Sequence, residues 1–285
     1  MRRIAFAVRL RVPVMGVRER NGWIIEGAAG WGECSPLPTW SGAECAAAEG
    51  AAVEAAELPF PQQRRDQVLV NALVPRLAPD AAAQLAVASR CATIKVKVGD
   101  SDSVDRVAAV RVACGRLARI RVDANGSWDA DTAERELKRL SAYGIELAED
   151  PVATLEELAR LRRRTSIPLA AESCIRTVDD ATRLRELAAA DVVVLKPQRI
   201  GGVRAALRAA ESAGVPAIAS SALETSVGLA AVVALAAALP DAPFAHGAGT
   251  ALLLESDIAA EPLLPVDGCL PPRRVTPDPA ILAAA

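Results

Sequence analysis

Short runs rich in β-branched and apolar residues alternate with helical segments from residue 68 to residue 246, and this alternation constrains the fold more than any other feature. Eight runs have strand character, at residues 68–74, 93–98, 120–123, 145–149, 167–172, 192–196, 215–220 and 243–246. Segments rich in Ala, Leu, Arg and Glu lie between them, at residues 103–116, 131–143, 155–164, 177–189, 203–213 and 227–239. Strands that alternate with helices form parallel βα units, and eight such units close most naturally into a ring. The sequence therefore predicts an α/β fold with a (β/α)8-type barrel.

The two ends of the chain have a different pattern. Residues 4–12 and 23–26 have strand character, residues 30–33 resemble a turn that enters a strand, and residues 42–57 form an Ala-rich helix. The last segment contains six prolines, so we expect no regular helix there and expect it to pack back across the first segment. We predict an α+β capping domain over residues 1–67, a catalytic barrel over 68–250 and a C-terminal segment over 251–285 that returns to the capping domain.

Composition limits the chemistry. Among 285 residues there is one histidine, His246, so mechanisms that need two histidines in one chain are excluded and acid–base work falls to Lys, Asp and Glu. The net charge of −2, with Lys and Arg spread along the chain, argues against a nucleic-acid partner. Six cysteines form no C-x-x-C pair or zinc-like cluster, a usage typical of a reducing cytoplasm.

Membrane association is not expected either. Arginines interrupt the apolar residues at the N-terminus, unlike a secretory signal, and no later apolar run reaches the length of about 18 residues that a membrane helix needs. We expect a cytoplasmic protein that acts on a small-molecule carboxylate. Whether it is a monomer or a homo-oligomer is left open.

Charged residues end five successive strand candidates, at intervals of 23 to 26 residues: Lys97, Asp123, Glu149, Glu172 and Lys196. One βα unit has about this length, so the five side chains are expected at one rim, the carboxyl end of the barrel, where barrel enzymes build their active sites. Each residue taken alone has a simpler explanation, such as a solvated strand end, a turn or a surface ion pair. The shared spacing favours a functional site.

The carboxylates at this rim predict a metal site. Asp123, Glu149 and Glu172 would repel one another without a cation between them, and an all-oxygen set suits Mg²⁺, with Mn²⁺ as a possibility. Lys95 and Lys97 point to one face of their strand, and Lys196 lies on the other side of the metal. This arrangement suits proton abstraction beside a metal-bound carboxylate, with a lysine of lowered pKa as the base.

Two further features have structural explanations beside the functional ones. His246 ends the last strand candidate, where a structural role is favoured over ligand contact. Gly201-Gly202 resembles a phosphate-binding turn, but such pairs also let a loop turn tightly into a helix.

The motifs together resemble the enolase superfamily, its muconate-lactonizing-enzyme-like subgroup and, within that, the o-succinylbenzoate synthase family. They are Thr93-Ile-Lys-Val-Lys-Val98, Val122-Asp-Ala-Asn-Gly126, Glu149-Asp-Pro151, Pro168-Leu-Ala-Ala-Glu-Ser173, Leu195-Lys-Pro197 with Gly201-Gly202, and Ser220-Ser-Ala-Leu-Glu-Thr-Ser-Val-Gly228. Gly30-Trp-Gly-Glu-Cys-Ser-Pro36 resembles the capping-domain motif and Pro262-Leu-Leu-Pro-Val-Asp-Gly268 the C-terminal return. The resemblance covers nearly the whole chain and implies a modified TIM barrel.

The resemblance also implies an activity: a metal-dependent dehydratase of menaquinone biosynthesis, which removes water in the syn sense from a succinyl-bearing cyclohexadiene carboxylate. Asp123, Glu149 and Glu172 would bind Mg²⁺. Lys97 would take the proton alpha to the carboxylate and return a proton to the departing hydroxide. Lys196 would stabilise the enediolate from the opposite side, and Lys95 would assist near the carboxylate.

The substrate-binding residues implied by the resemblance are Ser221, Gly247, Asn125 and Arg20. Ser221 and Gly247 align with positions that hold the succinyl tail, largely through backbone N–H groups. Two departures stand out. Glu172-Ser173 replaces the usual Asp-Glu pair, and Pro13-Val-Met15-Gly16 replaces an arginine-rich loop, with Arg18 and Arg20 slightly later.

Two other functions remain open. Lysines on opposite faces also suit an N-succinyl- or N-acylamino-acid racemase or epimerase of the same superfamily. The two departures alone suggest a catalytically impaired barrel that persists as a binding or structural protein.

Overall fold

The computed structural model describes residues 2–240 and 243–283 of the chain. The strands are β1 (Arg3–Val14), β2 (Val17–Gly27), β3 (Gly30–Cys34), β4 (Val68–Leu69), β5 (Asn71–Val74), β6 (Thr93–Lys97), β7 (Arg119–Asp123), β8 (Ile145–Glu149), β9 (Leu169–Ala171), β10 (Val192–Leu195), β11 (Ala217–Ala219) and β12 (Cys269–Leu270). The helices are α1 (Gly42–Glu57), α2 (Pro79–Ala88), α3 (Ser103–Cys114), α4 (Ala130–Leu140), α5 (Leu155–Arg162), α6 (Val178–Leu187), α7 (Pro197–Ile200), α8 (Val203–Ala213), α9 (Ser226–Ala238) and α10 (Pro279–Ala283). Short 3-10 helices cover Ser141–Tyr143 and Gly249–Leu253.

Strands β5 to β11 form one parallel sheet in chain order, and this sheet curls into the predicted barrel. Two isolated parallel bridges close the ring, from His246 to Val70 and from Gly247 to Ser220. The prediction of an eighth strand at residues 243–246 is therefore wrong in detail, although the barrel itself is confirmed. Proline at position 243 has no N–H to donate to a ladder. Among the described residues 243–247, His246 bridges to one neighbouring segment and Gly247 to the other.

The predicted first strand, 68–74, is two strands. β4 pairs antiparallel with β12 of the C-terminal segment, whereas β5 pairs parallel with β6 in the barrel. The change of partner falls at Val70, which also forms the bridge to His246. The apolar run alone could not show that its two halves pair with different elements.

Antiparallel strands β1, β2 and β3 form the sheet of the capping region, against which α1 packs. A capping box begins α1, because the Ser41 hydroxyl accepts from the Glu44 N–H while the Glu44 carboxylate accepts from the Ser41 N–H. The C-terminal segment returns to this region, where Arg274 donates to the carbonyl of Ala55 at 2.6 Å. The segment also contains the short helix α10, which the sequence did not predict; Pro279 begins it, where the missing N–H costs nothing.

Side chains alternate between the two faces of each barrel strand. Val193 and Leu195 belong to the large core between barrel and helices, whereas Val192 and Val194 belong to a small cluster in the barrel interior. The residue that follows β10, Lys196, continues the interior series. The same alternation places charged side chains at the open end of the barrel interior. Within the described ranges no helix is both long and apolar enough to cross a membrane.

Candidate active site

The charged residues predicted at the strand ends lie at one rim of the barrel. Lys97 is paired with Asp123 across β6 and β7, and Asp123 with Glu149 across β7 and β8. Glu172 directly follows β9, and Lys196 directly follows β10. In an eight-membered ring, β6 and β10 lie on opposite sides. The structure thus brings together the five residues that the spacing singled out.

Lys95 and Lys97 lie against the first two carboxylates. The Nζ of Lys95 is 2.8 Å from Oε1 of Glu149 and 3.1 Å from Oδ2 of Asp123. The Nζ of Lys97 donates to the same Asp123 oxygen at 2.6 Å and to Oδ1 of Asn125 at 2.9 Å. Both lysines are buried, so their charges interact strongly with these partners.

The two lysines differ in their titration. Burial lowers the pKa of Lys97 below its ordinary value, and the charge of Lys95 adds to the effect against the attraction of Asp123. Burial acts in the same direction on Lys95, but the charges of Glu149 and Asp123 outweigh it and raise the pKa of Lys95. Lys97 is therefore the better base of the pair.

The opposite side of the rim holds Glu172 between two cations. Lys196 donates to Oε2 of Glu172, and Arg199 of α7 donates to Oε1 at 3.1 Å. Arg199 also donates to Glu44 of the capping region at 2.6 Å. Although burial opposes it, the charges of Lys196 and Arg199 lower the pKa of Glu172. Sequence reasoning did not identify Arg199. This residue lies in α7, just after Lys196, and it is not part of the regular strand-end spacing that singled out the other charged residues.

The donor set fits a hard divalent cation. Asp123, Glu149 and Glu172 are buried and offer only carboxylate oxygens, the ligands that Mg²⁺ and Mn²⁺ prefer. Their charges are balanced here by lysines and Arg199, with Lys95 between Asp123 and Glu149. Among residues 2–240 and 243–283, no three His, Cys, Asp or Glu side chains already lie close enough together to hold a metal ion. Binding would therefore require these side chains to exchange lysine and arginine partners for the cation.

Asp150, which sequence reasoning missed, fixes the end of β9. Its carboxylate accepts from the N–H groups of Glu172 and Ser173, each at 2.8 Å. Burial, with the charge of Glu172, raises the pKa of Asp150 to about 7. The signal was present in Glu149-Asp150-Pro151, but the metal argument used only the first residue of that motif.

A cavity of about 50 Å³ opens at this rim. Its walls include all three lysines, Ser221 and Gly247, as expected for two of the predicted substrate contacts. The backbone N–H groups, however, are already used: that of Ser221 donates to Gly247 O and that of Gly247 to Ala219 O. The expectation that these N–H groups hold the succinyl tail is corrected, because closing the barrel consumes them. The Ser221 hydroxyl, 2.7 Å from Oγ1 of Thr250, is the polar group that this wall offers.

The other two predicted substrate contacts differ from each other. Asn125 accepts a hydrogen bond from Lys97, which lines the cavity. Arg20 lies outside the cavity and is 1% exposed; its Nε donates to the carbonyl of Leu223 at 3.2 Å and its Nη2 to that of Ser35. The placement of Arg20 therefore supports a structural contact behind the cavity wall and not a direct one with substrate.

The segment 13–16, which departs from the family pattern, comprises the last two residues of β1 and the two-residue turn into β2. Met15 is 64% exposed and has a positive φ of 51°. Its sulfur lies 3.7 Å from Nζ of Lys97. A thioether therefore stands over the candidate base where relatives are expected to carry arginines.

His246 and the Gly201-Gly202 pair have structural roles. The Nδ1 of buried His246 accepts from the Ala219 N–H at 3.0 Å, which supports barrel closure. The glycine pair leads into α8, whose first N–H groups, on Val203 and Arg204, donate to the carboxylate of Glu54. The carboxylate of Glu54 thus occupies the position at the start of α8 where a phosphate would bind. A larger cavity of about 510 Å³ lies near the start of β11, and none of the predicted site residues lines it.

Comparison with known proteins agrees with this geometry. The enolase C-terminal domain-like family model matches residues 78–277, and the enolase N-terminal domain-like model matches residues 5–56. A muconate lactonizing enzyme from Pseudomonas fluorescens, complexed with muconolactone, has the same fold, with a TM-score of 0.86, 23% identity and coverage of 99% of this chain and 97% of that one. A dipeptide epimerase from Enterococcus faecalis gives a TM-score of 0.81 at 21% identity, with coverage of 97% and 99%. The chain therefore belongs to the enolase superfamily, whose members are divalent-metal-dependent enzymes.

Curated relatives narrow the family further. The o-succinylbenzoate synthase of Thermobifida fusca is 52% identical over 276 residues, which cover 95% of this chain and 87% of that protein. The o-succinylbenzoate synthase of Mycobacterium tuberculosis is 42% identical over 285 residues, covering 98% and 86%. Within the superfamily the chain is thus a member of the o-succinylbenzoate synthase family, a family of carbon–oxygen lyases.

Proposed function

We propose that the rim of this barrel carries out the o-succinylbenzoate synthase reaction, a dehydration in menaquinone biosynthesis. The observation that carries the proposal is the placement of Lys97 and Lys196 on opposite sides of the ring, with Asp123, Glu149 and Glu172 on the strands between them. A substrate between the two lysines has a base on one face and a fixed cation on the other.

The three carboxylates are the proposed ligands of Mg²⁺, with Mn²⁺ as the alternative. The bound cation would supply positive charge to the substrate carboxylate as negative charge develops there. Glu172, the third proposed ligand, is followed by Ser173 and so has no carboxylate next to it in sequence. Asp150 positions Glu172 instead, because its carboxylate accepts from the N–H groups of Glu172 and Ser173.

Lys97 is the proposed base and acid. As a neutral amine it takes the proton alpha to the substrate carboxylate, and the electron pair of the broken C–H bond passes into an enediolate. The resulting ammonium then gives the proton to the hydroxide that leaves from the same face. The products are water and the aromatic ring of o-succinylbenzoate, and Lys97 is again a neutral amine. Asn125 holds the Lys97 nitrogen at 2.9 Å and so limits where this proton is delivered.

The other two lysines act by charge. Lys196 faces the substrate from the opposite wall, where a fixed ammonium lowers the energy of the anion without reorganisation. Lys95, on the same face of β6 as Lys97, serves as a cation near the substrate carboxylate. The succinyl tail is assigned to the wall formed by Ser221, Gly247 and Thr250.

The setting of the reaction is also a proposal. All six cysteines are free, as expected for a protein of the cytoplasm, and we assign the chain to that compartment. Its partner is a small-molecule carboxylate that approaches an opening lined by three lysines.

A direct assay tests the proposal. The purified chain with Mg²⁺ is expected to convert the cyclohexadiene substrate to o-succinylbenzoate, followed by the absorbance of the aromatic product, and to lose this activity when EDTA removes the metal. The Lys138→Ala variant, altered at an exposed side chain of α4, should behave as the wild type. Absence of turnover at any Mg²⁺ or Mn²⁺ concentration would overturn the assignment.

The placement of lysines on opposite walls also fits a second activity, that of a racemase or epimerase. Lysines on opposite walls can remove a proton from one face and return one to the other, as a racemase or epimerase requires. Incubation with N-succinylamino acids in D₂O measures this exchange. Exchange without dehydration would replace the dehydratase assignment with the racemase, and the lack of both together with the lack of metal binding would favour the impaired barrel.

A further inference from the structure

One wall of the active-site cavity is the short loop between β11 and α9. Ser220, Ser221, Ala222 and Leu223 of this loop all line the cavity. Leu223 has a positive φ of 67°, a conformation that is strained for a residue that bears a side chain. Because such a conformation persists only when its surroundings enforce it, the contacts that hold the loop determine the shape of this wall.

A carboxylate from the capping region holds the far end of the loop. Glu33 of β3 is 3% exposed, and it accepts hydrogen bonds from the Thr225 N–H at 3.2 Å, the Gly228 N–H at 2.9 Å and the Thr225 hydroxyl. Thr225 is the N-cap residue of α9, but its side chain does not cap its own helix. Glu33 takes over that function from another part of the chain, where the helix dipole favours a negative charge.

Arg20 of β2 holds the middle of the same loop. Its donation to the carbonyl of Leu223 fixes the residue with the positive φ, while its second donation, to Ser35, ties Arg20 to the strand end that carries Glu33. The Ser35 hydroxyl donates to Glu33 at 2.6 Å. Two neighbouring capping strands thus hold two residues of the loop, Leu223 and Thr225.

Glu33 lies close to the helix backbone at Gly228. A Cβ added at Gly228 would lie 2.9 Å from Cδ of Glu33 and 2.9 Å from Cβ of Glu224. Glycine at this position lets the helix backbone approach the carboxylate closely enough to donate. The position of Glu33 and the position of the loop are therefore coupled.

We infer that Glu33, although it lies outside the cavity, is a positioning residue that sets the cavity wall receiving the tail of the substrate. The inference rests on the proposed function for the identity of that tail. Lys97, Lys196 and the carboxylates stand on other strands, so the effect of Glu33 falls on binding of the tail and not on proton transfer.

The Glu33→Gln variant tests this role, since glutamine has nearly the same shape but cannot accept all of these hydrogen bonds. Loss of a charge-assisted hydrogen bond corresponds to a change of about tenfold or more. We expect KM for the dehydration substrate to rise by about tenfold with kcat within about threefold of wild type. As competitive inhibitors, o-succinylbenzoate should lose the same factor, whereas 2-acetylbenzoate, which lacks the tail carboxylate, should lose none.

Three variants complete the experiment. Glu26→Gln, at an exposed position of β2, is the matched control and should leave every constant unchanged. Thr225→Val removes the hydroxyl partner from the barrel side and should reproduce the effect of Glu33→Gln, so the test does not depend on one variant folding. Thr225→Ser keeps the hydroxyl and should restore near-wild-type KM.

Each result has a defined meaning. Equal weakening of both inhibitors, or a fall in kcat without a change in KM, would overturn the positioning role. If the wild type does not dehydrate the substrate, the proposed function fails instead, and hydrogen exchange of residues 220–225 then decides the role of Glu33 without turnover. Faster exchange in Glu33→Gln than in Glu26→Gln would support it, and equal exchange would overturn it.

Discussion

Lys97 and Asp123 are in direct contact in the candidate site, with Nζ of Lys97 2.6 Å from Oδ2 of Asp123. The same oxygen also receives Lys95 at 3.1 Å. The proposed base and a proposed metal ligand are therefore positioned by each other. In a parallel barrel this follows from register, because the two residues are directly paired at the ends of β6 and β7.

Asp123→Asn should impair both functions, metal binding and the positioning of Lys97. The amide keeps the shape but loses the charge that attracts both lysines, so Mg²⁺ affinity and turnover are both expected to fall by about 100-fold or more. Titration calorimetry with Mg²⁺ and the dehydration assay measure the two effects. Unchanged Mg²⁺ affinity in this variant would remove Asp123 from the ligand set.

Asp150→Asn tests whether Asp150 positions Glu172, the third proposed metal ligand. Its carboxylate accepts two backbone N–H groups at the end of β9, and an amide nitrogen would oppose one of them. Loss of such an outer contact lowers metal affinity by about 10- to 100-fold in other sites, and we expect that range for Mg²⁺ here. Asp131→Asn, with its side chain 85% exposed on α4, is the control and should keep wild-type affinity. Equal affinities in the two variants would contradict the assigned role.

His246 should make stability depend on pH. Burial, with the charges of Arg65 and Arg121, lowers the pKa of His246 to about 3, whereas the unfolded chain takes up this proton near pH 6.5. Protonation therefore favours the unfolded chain, so this contribution to stability is complete above pH 6.5 and is lost as the pH falls from 6.5 towards 3. The loss is on the order of 1.4 kcal/mol per pH unit within that window.

The contribution of His246 is isolated by comparison with His246→Asn, whose Oδ1 can still accept from Ala219. Urea unfolding of both proteins is followed between pH 7 and pH 5. Acids whose pKa is raised by burial, such as Asp150 and Glu33, act in the opposite direction but cancel in the difference. Parallel pH curves for the two proteins would show that His246 titrates in the folded protein as it does in the unfolded one.

Gly228→Ala should destabilise the fold. A new Cβ would meet Glu33 and Glu224, and overpacking of this kind costs about 1–3 kcal/mol. Gly50→Ala is the matched control, because Gly50 lies in α1 with nothing within 4 Å of a new Cβ. That change should stabilise the helix by about 0.5–1 kcal/mol. The same sign for both variants in urea unfolding would contradict the close approach at Gly228.

The barrel could be predicted from sequence because short runs rich in β-branched and apolar residues alternate with helical segments. The rim could be predicted because alternation along a strand fixes which residues point inward, and Lys97, Asp123 and Glu149 occupy paired positions. The eighth strand could not, since its closure depends on two bridges at His246 and Gly247 that leave no periodic pattern.

Contacts between residues that are far apart in the chain also could not be predicted from the sequence. Arg20 was expected at the substrate from the family resemblance, yet it donates to Leu223 and Ser35. Glu33 was noticed only as part of a motif, although it caps a helix almost 200 positions later. Burial raises the pKa of Glu33 to about 7 against the effect of its hydrogen bonds from Ser35 and Thr225, and such an environment is visible only in three dimensions.

Chemical rescue of Lys97→Ala tests most directly whether Lys97 moves the proton. Turnover of this variant should fall by about 1,000-fold, within the range that general base catalysis supplies, while o-succinylbenzoate still binds. Methylamine added in solution should restore part of the rate in proportion to its unprotonated fraction. Turnover within about tenfold of wild type would show that Lys97 is not the base. A loss of turnover that no amine restores, while binding is intact, would show the same.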